Sequence, residues 1–298
     1  GSIRNLFIDN DAGGGTWANA ASNFNIGIGD YSMTSAMDGA LYNIGMGNSA
    51  LQQLTTGDYN LAIGVDAMKT HTTGGSNIAI GSGAMDDTDA GSTSLGSVRN
   101  IFIGLDAGGG TWTDAASDEN VAIGHYNMDA ECTGAMRNTA IGYWSLSAVT
   151  SGGDNVAVGR NVGNAITTTS STVLIGNDAG TAINATGANG TVAIGQDALT
   201  ALTSGAGNTA VGYLAGKECA TDAYTTAIGY QAMSDTNGVA GASNTAIGFN
   251  SMSGAWTTGA SNYNTAVGAA SMDGAMNGAL GNTAVGYHAL GSVTTSDY

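Results

Sequence analysis

Along the whole chain, apolar and small or polar positions recur as one pentapeptide: Asn or Thr, an apolar residue or Thr, usually Ala, then Ile or Val, then Gly. It occurs sixteen times, as in Asn60–Gly64, Asn138–Gly142, Asn208–Gly212 and Asn282–Gly286. Alternation with a period of two predicts a short strand, because successive side chains of a strand point to opposite faces. The second and fourth positions share one face, and the fourth is apolar in every copy. That face predicts a core ladder of Ile28, Ile63, Ile80, Ile103, Ile123, Ile141, Val158, Ile175, Ile194, Val211, Ile228, Ile247, Val267 and Val285. The second position is aliphatic in most early copies and mostly Thr later, from Thr209 to Thr283. The opposite face carries Asn, Ala and Gly, small enough for another backbone to come close.

The pentapeptide closes on Asp9 and then on glycines from Gly29 to Gly286, at intervals of 17 to 23 residues. The first two blocks of five share a 95-residue superperiod, and Arg4–Met33 matches Arg99–Met128 at 19 of 30 positions. A unit this short, repeated end to end, is the mark of a stacked array. Two helices and a turn do not fit in it, and Gly interrupts every periodic run. The expected fold is all-β, a parallel β-solenoid (β-roll) of about 16 coils, with residues 1–298 as a single repeat domain. Each coil is expected to hold a strand, a turn and a return strand, stacked about 4.8 Å apart. Four residues past each closing Gly stands Met or Leu in eleven units and Gly in five, a predicted apolar contact on the return stretch. Asn opens 13 of the 16 units, and stacked at one phase these amides form a ladder. Repeat arrays need covered ends. No stretch of changed composition supplies them, so either a piece of a longer fibre or capping by other chains is expected.

Composition adds two expectations. Gly is abundant (49 residues) and large apolar side chains are sparse, so a lone coil buries little. The ordering entropy of its backbone is large by comparison, and self-association is the natural supply of further burial. The net charge of −17, from six basic against 23 acidic residues, makes nucleic acid a poor partner. No apolar run reaches membrane-spanning length, so no membrane insertion is expected.

Candidate chemistry is thin. Gly45–Ala50 matches the dinucleotide fingerprint, but a helix must open behind that motif, and this tract is one coil of sixteen. His71, His125 and His288 fall in different coils, so no catalytic grouping forms. Asp86, Asp87 and Asp89 are weak candidates for holding Ca²⁺, with a solvated turn as the preferred reading. No other cofactor and no catalytic residue is predicted. Cys132 and Cys219 lie five coils apart, about 24 Å at the coil spacing, too far to bridge within one chain; buried thiols are expected. Trp17, Trp112 and Trp256 share one phase after Gly-rich turns, while Tyr143 and Trp144 follow a closing Gly. These rings are candidates for stacking on sugars; folding back over their own loops as plugs is the preferred reading for the tryptophans. The late Thr column suggests ice binding, set aside because it shares a face with the predicted core.

The tract Asn-Thr-Ala-Val-Gly-Tyr-x-Ala-Leu, nearly intact at 282–290, resembles repeats of phage and virus tail fibres. It is also similar, with longer turns, to the head repeats of trimeric autotransporter adhesins. The resemblance covers essentially the whole chain. It implies a left-handed β-roll, a homotrimer about one axis, and an extracellular or virion-surface protein that attaches to a host glycan or protein receptor. The reading is a non-enzymatic structural or adhesive segment of a viral tail fibre. A bacterial trimeric adhesin head, or a spacer without a ligand, is the alternative.

Overall fold

The computed structural model describes residues 4–17, 20–88, 96–112, 115–184, 186–257 and 259–292. They belong to two compact units, residues 1–153 and 154–298. In the first unit each pentapeptide contributes one strand: β1 (Leu6–Ile8), β2 (Ile26–Ile28), β3 (Ile44–Met46), β4 (Leu61–Ile63), β5 (Ile78–Ile80), β6 (Ile101–Ile103), β7 (Val121–Ile123) and β8 (Thr139–Tyr143). The second holds β9 (Val156–Arg160), β10 (Val173–Ile175), β11 (Val192–Ile194), β12 (Thr209–Val211), β13 (Thr226–Ile228), β14 (Thr245–Ile247), β15 (Thr265–Val267) and β16 (Thr283–Val285). Within each unit every strand pairs in parallel with the next in chain order, and the pentapeptide sets the register. Leu61 meets Ile78 and Ala62 meets Ala79, while Thr209, Thr226 and Thr245 line up in the second unit. Each unit is a parallel β-solenoid, and the only helical feature among the described residues is a 3₁₀ turn at Thr186–Ala188 in the second unit.

The glycine that closes each strand is required twice over. Gly47, Gly64 and Gly81 sit at φ of +137°, +140° and +143°, a region that L side chains rarely adopt. A Cβ on Gly64 would also collide with the Gly81 carbonyl of the next coil.

The return arm is not a strand, contrary to expectation. The residues two and four past that glycine are left-handed, as at Asp66 (φ 59°) and Met68 (φ 50°). So is the residue just before the opening Asn, as at Tyr59 (φ 59°) and Ser76 (φ 60°). Isolated left-handed residues turn the chain sharply, which closes a coil in as few as 17 residues. Hydrogen bonds still run from coil to coil along the arm. Asp66 N donates to Asn48 O and Met68 N to Ala84 O, both at 2.9 Å.

The core lies on the opposite strand face from the one the apolar pattern predicts. The middle strand position is buried throughout β2 to β16, as at Ala62, Ala79, Phe102, Leu174 and Ala246. The predicted ladder instead faces outward. Ile28, Ile63, Ile80, Ile103, Val158, Ile194, Val211 and Val267 are half-buried, while Ile123, Ile141, Ile175, Ile228, Ile247 and Val285 are exposed. A coil this narrow takes a methyl group from the strand and one long side chain from the return arm. Met68, Met85, Leu146 and Met233 supply the latter, at the position foreseen as a third apolar contact, and all are fully buried. A further buried column, seven or eight residues past the glycine, runs Met37, Leu54, His71, Thr88, Trp112, Cys132 and Val149 in the first unit. In the second it runs from Ile166 and Ile183 through Cys219 to Trp256 and Met276.

In three coils the strand and the arm exchange volume. Where the strand supplies Phe102, the arm supplies Gly108, and a Cβ there would sit 2.6 Å from the ring. Phe7 with Gly13 and Leu174 with Gly180 repeat the exchange. This accounts for the glycines that replace Met or Leu in those three coils.

The amide ladder is present inside both units. Asn60 N and Nδ2 donate to Asn43 Oδ1 at 2.9 and 3.1 Å, and Asn77 repeats both bonds onto Asn60 Oδ1. Asn60 Nδ2 also donates to Gly74 O at 2.8 Å, so the side chain ties its own coil closed while gripping its neighbours. Asn264 and Asn282 continue the pattern in the second unit.

Candidate functional site

The outward strand face is an ordered surface of each unit. It presents two rows, from the second and fourth pentapeptide positions, held in register by the parallel ladder. In the first unit both rows are aliphatic from β2 to β7: Ile78 with Ile80 and Ile101 with Ile103 are typical. In the second unit, Val gives way to Thr in the second row from β12 onward. Within each unit, half-buried and exposed apolar side chains thus form an uncovered stripe, a feature that monomeric proteins keep small.

Two edges border this face: the residue before each opening Asn and the residue after each closing Gly. Both carry aromatic stacks at the coil spacing. Phe24, Tyr42 and Tyr59 stack at 4.8 and 5.1 Å along the first edge, with the Arg4 guanidinium 5.3 Å from the Phe24 ring centre. Tyr213, Tyr230 and Phe249 stack at 5.1 and 5.5 Å along the second. Their faces are spent on one another, so the ring rims and the tyrosine hydroxyls meet solvent.

The predicted ring candidates divide. Trp112 and Trp256 are fully buried, and Trp17 is half-buried. Trp112 packs edge-on against Phe102 at 5.6 Å, and Trp17 against Phe7 at 5.4 Å. All three are plugs, because a Gly-rich turn gives a large ring room to fold inward. Their indole N–H groups lack hydrogen-bond partners. Tyr143 and Trp144 are exposed and stacked at 5.2 Å, with Tyr126 edge-on to both. That cluster is the surviving aromatic candidate.

Among the described residues no group of three or more His, Cys, Asp or Glu is placed to hold an ion. Asp87 accepts hydrogen bonds from Thr70 and Thr111, and Asp89 lies outside the described residues. Burial, then the charges of Asp87, Asp106 and Asp66, push the pKa of Asp86 up to about 6. His71 is buried between Thr88 Oγ1 (2.9 Å) and Asn77 Nδ2 (3.3 Å), as part of the packing. His125 Nδ1 accepts from Leu105 N, and His288 lies 3.6 Å from Asp273. Both cysteines are free, buried thiols. Burial, with the Asp129 charge nearby, pushes Cys132 up to about 12, and burial raises Cys219 well above its ordinary value, so neither is a ready nucleophile. Gly45–Ala50 runs from the end of β3 into turns, without the helix a dinucleotide needs.

The sequence pattern gave no warning of Asp222. It occupies a position that is Gly, Ala, Ser or Thr in most coils, yet it is fully buried. Its Oδ1 accepts from Gly241 N at 2.7 Å, and the Cys219 thiol lies close enough to hydrogen-bond with the carboxyl. Burial pushes its pKa up to about 6.

No helix among the described residues is long and apolar enough to cross a membrane. Comparison with protein families, with curated proteins and with solved structures found no match.

Proposed function

We propose that this chain is a non-enzymatic structural and adhesive segment of a homotrimeric fibre, a left-handed roll displayed outside the cell or on a virion. The role nearest to that description is a tail-fibre shaft or receptor-binding region that attaches to a host surface glycan or protein. The observation that carries the reading is the uncovered stripe of register-aligned aliphatics. Such a face gains stability by burial against copies of itself, at about 25 cal/mol for each Å² of apolar surface removed from water. The sparse interior and the acidic, soluble surface support the same reading. The tail-fibre and adhesin part rests on the resemblance of the 282–290 tract. Light scattering at three times 29.3 kDa is the expected result, and a clean monomer would sink the proposal. For attachment, a glycan array should show binding that weakens several-fold in Trp144→Ala, since Tyr143 and Trp144 form the exposed ring cluster.

A second reading is favoured by a separate observation. The Thr column of β12 to β16 points outward beside Val or Ile, not into a core. The ground for setting ice binding aside is therefore gone. A flat array of hydroxyl and methyl groups at the coil spacing orders water, and thermal hysteresis measured on the purified chain decides the matter.

A further inference from the structure

We infer that residues 234–241 form a proton-operated latch in the second unit, closed over Asp222 and the Cys219 thiol while that carboxyl is neutral and loosened once it ionises. Cys219 and Thr236 occupy one buried column, three residues before Asp222 and five before Gly241. The later coil is therefore two residues longer at this point. The extra length makes a turn, with Val239 N donating to Thr236 O at 2.9 Å. Its tip, Asn237 and Gly238, is left-handed (φ 50° and 66°) and exposed. Among the described residues, no backbone hydrogen bond joins 234–241 to a neighbouring coil. Shorter coils of the unit keep such bonds, as from Thr203 N to Ala220 O at 2.8 Å. Side chains tie the segment down instead. Glu218 Oε2 accepts from Asn237 N at 3.1 Å and Asp222 Oδ1 from Gly241 N at 2.7 Å, while Asn237 Nδ2 donates to Trp256 O at 3.1 Å.

Serine stands at the place of Asp222 in other coils. Ser117 Oγ accepts from Gly134 N at 3.2 Å and Ser261 Oγ from Ala279 N at 3.1 Å. A hydroxyl makes that bond without a charge, whereas a fully buried carboxyl must hold a proton or bury one negative charge. The charged groups on the surrounding coils are Asp197 before it, Lys217 and Glu218 on its own coil, and Asp235 after it; Tyr213, Tyr224 and Tyr230 are exposed. None of these governs Asp222. Burial raises its pKa to about 6, against the pull of the Gly241 N–H, its own N–H and the Cys219 thiol. The Thr236 hydroxyl lies against that thiol, so no cation is at hand to compensate the charge. Contact with water relieves it, and the segment with the fewest ties gives way. Once open, the carboxyl returns to its ordinary range, so opening grows as pH rises from about 4 to 6 and then levels off.

Cys219 reports the opening, because its buried thiol meets a reagent only when the segment lifts. Modification by dithiodipyridine is followed on the intact chain from pH 5 to 7, with Cys132 read in the same samples by peptide mass spectrometry. Asp222→Ser and Asp222→Asn keep an acceptor for Gly241 N and remove the charge. Dividing by their Cys219 rates cancels the ionisation of the thiol itself. The ratio of unsubstituted chain to variant should rise about tenfold from pH 5 to 7. Cys132, in the first unit, should react at the same rate in all three proteins. A flat ratio would overturn the inference, as would Cys132 reacting in step with Cys219, the sign of global unfolding. Should neither variant fold, hydrogen exchange of the unsubstituted chain decides. Relative to residues 199–206, residues 234–241 should exchange faster at pH 7 than at pH 5, and no such gain would overturn the latch.

Discussion

Asn60 shows what one side chain does in this fold. It satisfies its own turn through Gly74 O and accepts two bonds from Asn77 through Oδ1. Asn60→Ala should cost about 2–4 kcal/mol in urea unfolding, because several buried groups lose partners. Asn60→Thr should cost clearly less, since Thr172 Oγ1 donates to Asn155 Oδ1 at 2.8 Å in the same column. Asp222 makes the opposite kind of contribution. Its folded pKa is raised to about 6, so between the ordinary carboxylate range and pH 6 the native state holds the proton better than the unfolded chain. Stability from this group is fully present below about pH 4 and is lost as pH rises through 6. The melting temperature should therefore rise on acidification from pH 7 to 5. Asp222→Asn should stabilise the fold at pH 7 by on the order of 2 kcal/mol, raising the melting temperature there, and flatten that slope. Asp86 and Asp129, half-buried and also raised to about 6, account for the slope that remains.

At the scale of the coil, strand and return arm share one small volume. Phe102→Ala alone should cost about 3–5 kcal/mol, as a buried ring is lost beside an arm that has only Gly108 to offer. Phe102→Ala with Gly108→Met should regain most of that loss in thermal or urea melts. The pair recreates the Ala79 and Met85 coil, in which Met85 takes the same left-handed position at φ 51°. Failure of the double variant to recover would show that the Phe and Met coils differ in more than volume.

For the molecule as a whole, the outward face separates folding from the proposed assembly. Ile123→Glu changes an exposed position whose neighbours inside the coil are Ala122 and the amide of Asn120. The β signal in circular dichroism should hardly change, while light scattering should shift toward smaller species. If the coil unfolds instead, this residue belongs to the core after all. The 37–38% exposure of Ile123, Ile141, Ile175, Ile228 and Ile247 argues against that outcome.

The sequence by itself determined the strands, their parallel register, the amide ladder and the closing glycines. All of these follow from a period of two inside a repeating unit, with Gly wherever the next backbone comes close. It also placed the Met and Leu of the return arm inside. Periodicity divides a strand into two faces but does not say which is the inner one, and here apolarity pointed the wrong way. The tertiary structure decided that question by volume: the coil interior admits Asn and Ala from the strand because the arm already fills it with Met, Leu or Trp. It also decided the left-handed positions taken by Asp66, Met68 and Tyr59, which no composition marks, and the burial of Asp222. The outward rows, left uncovered by that choice, became the surface on which the proposed function rests.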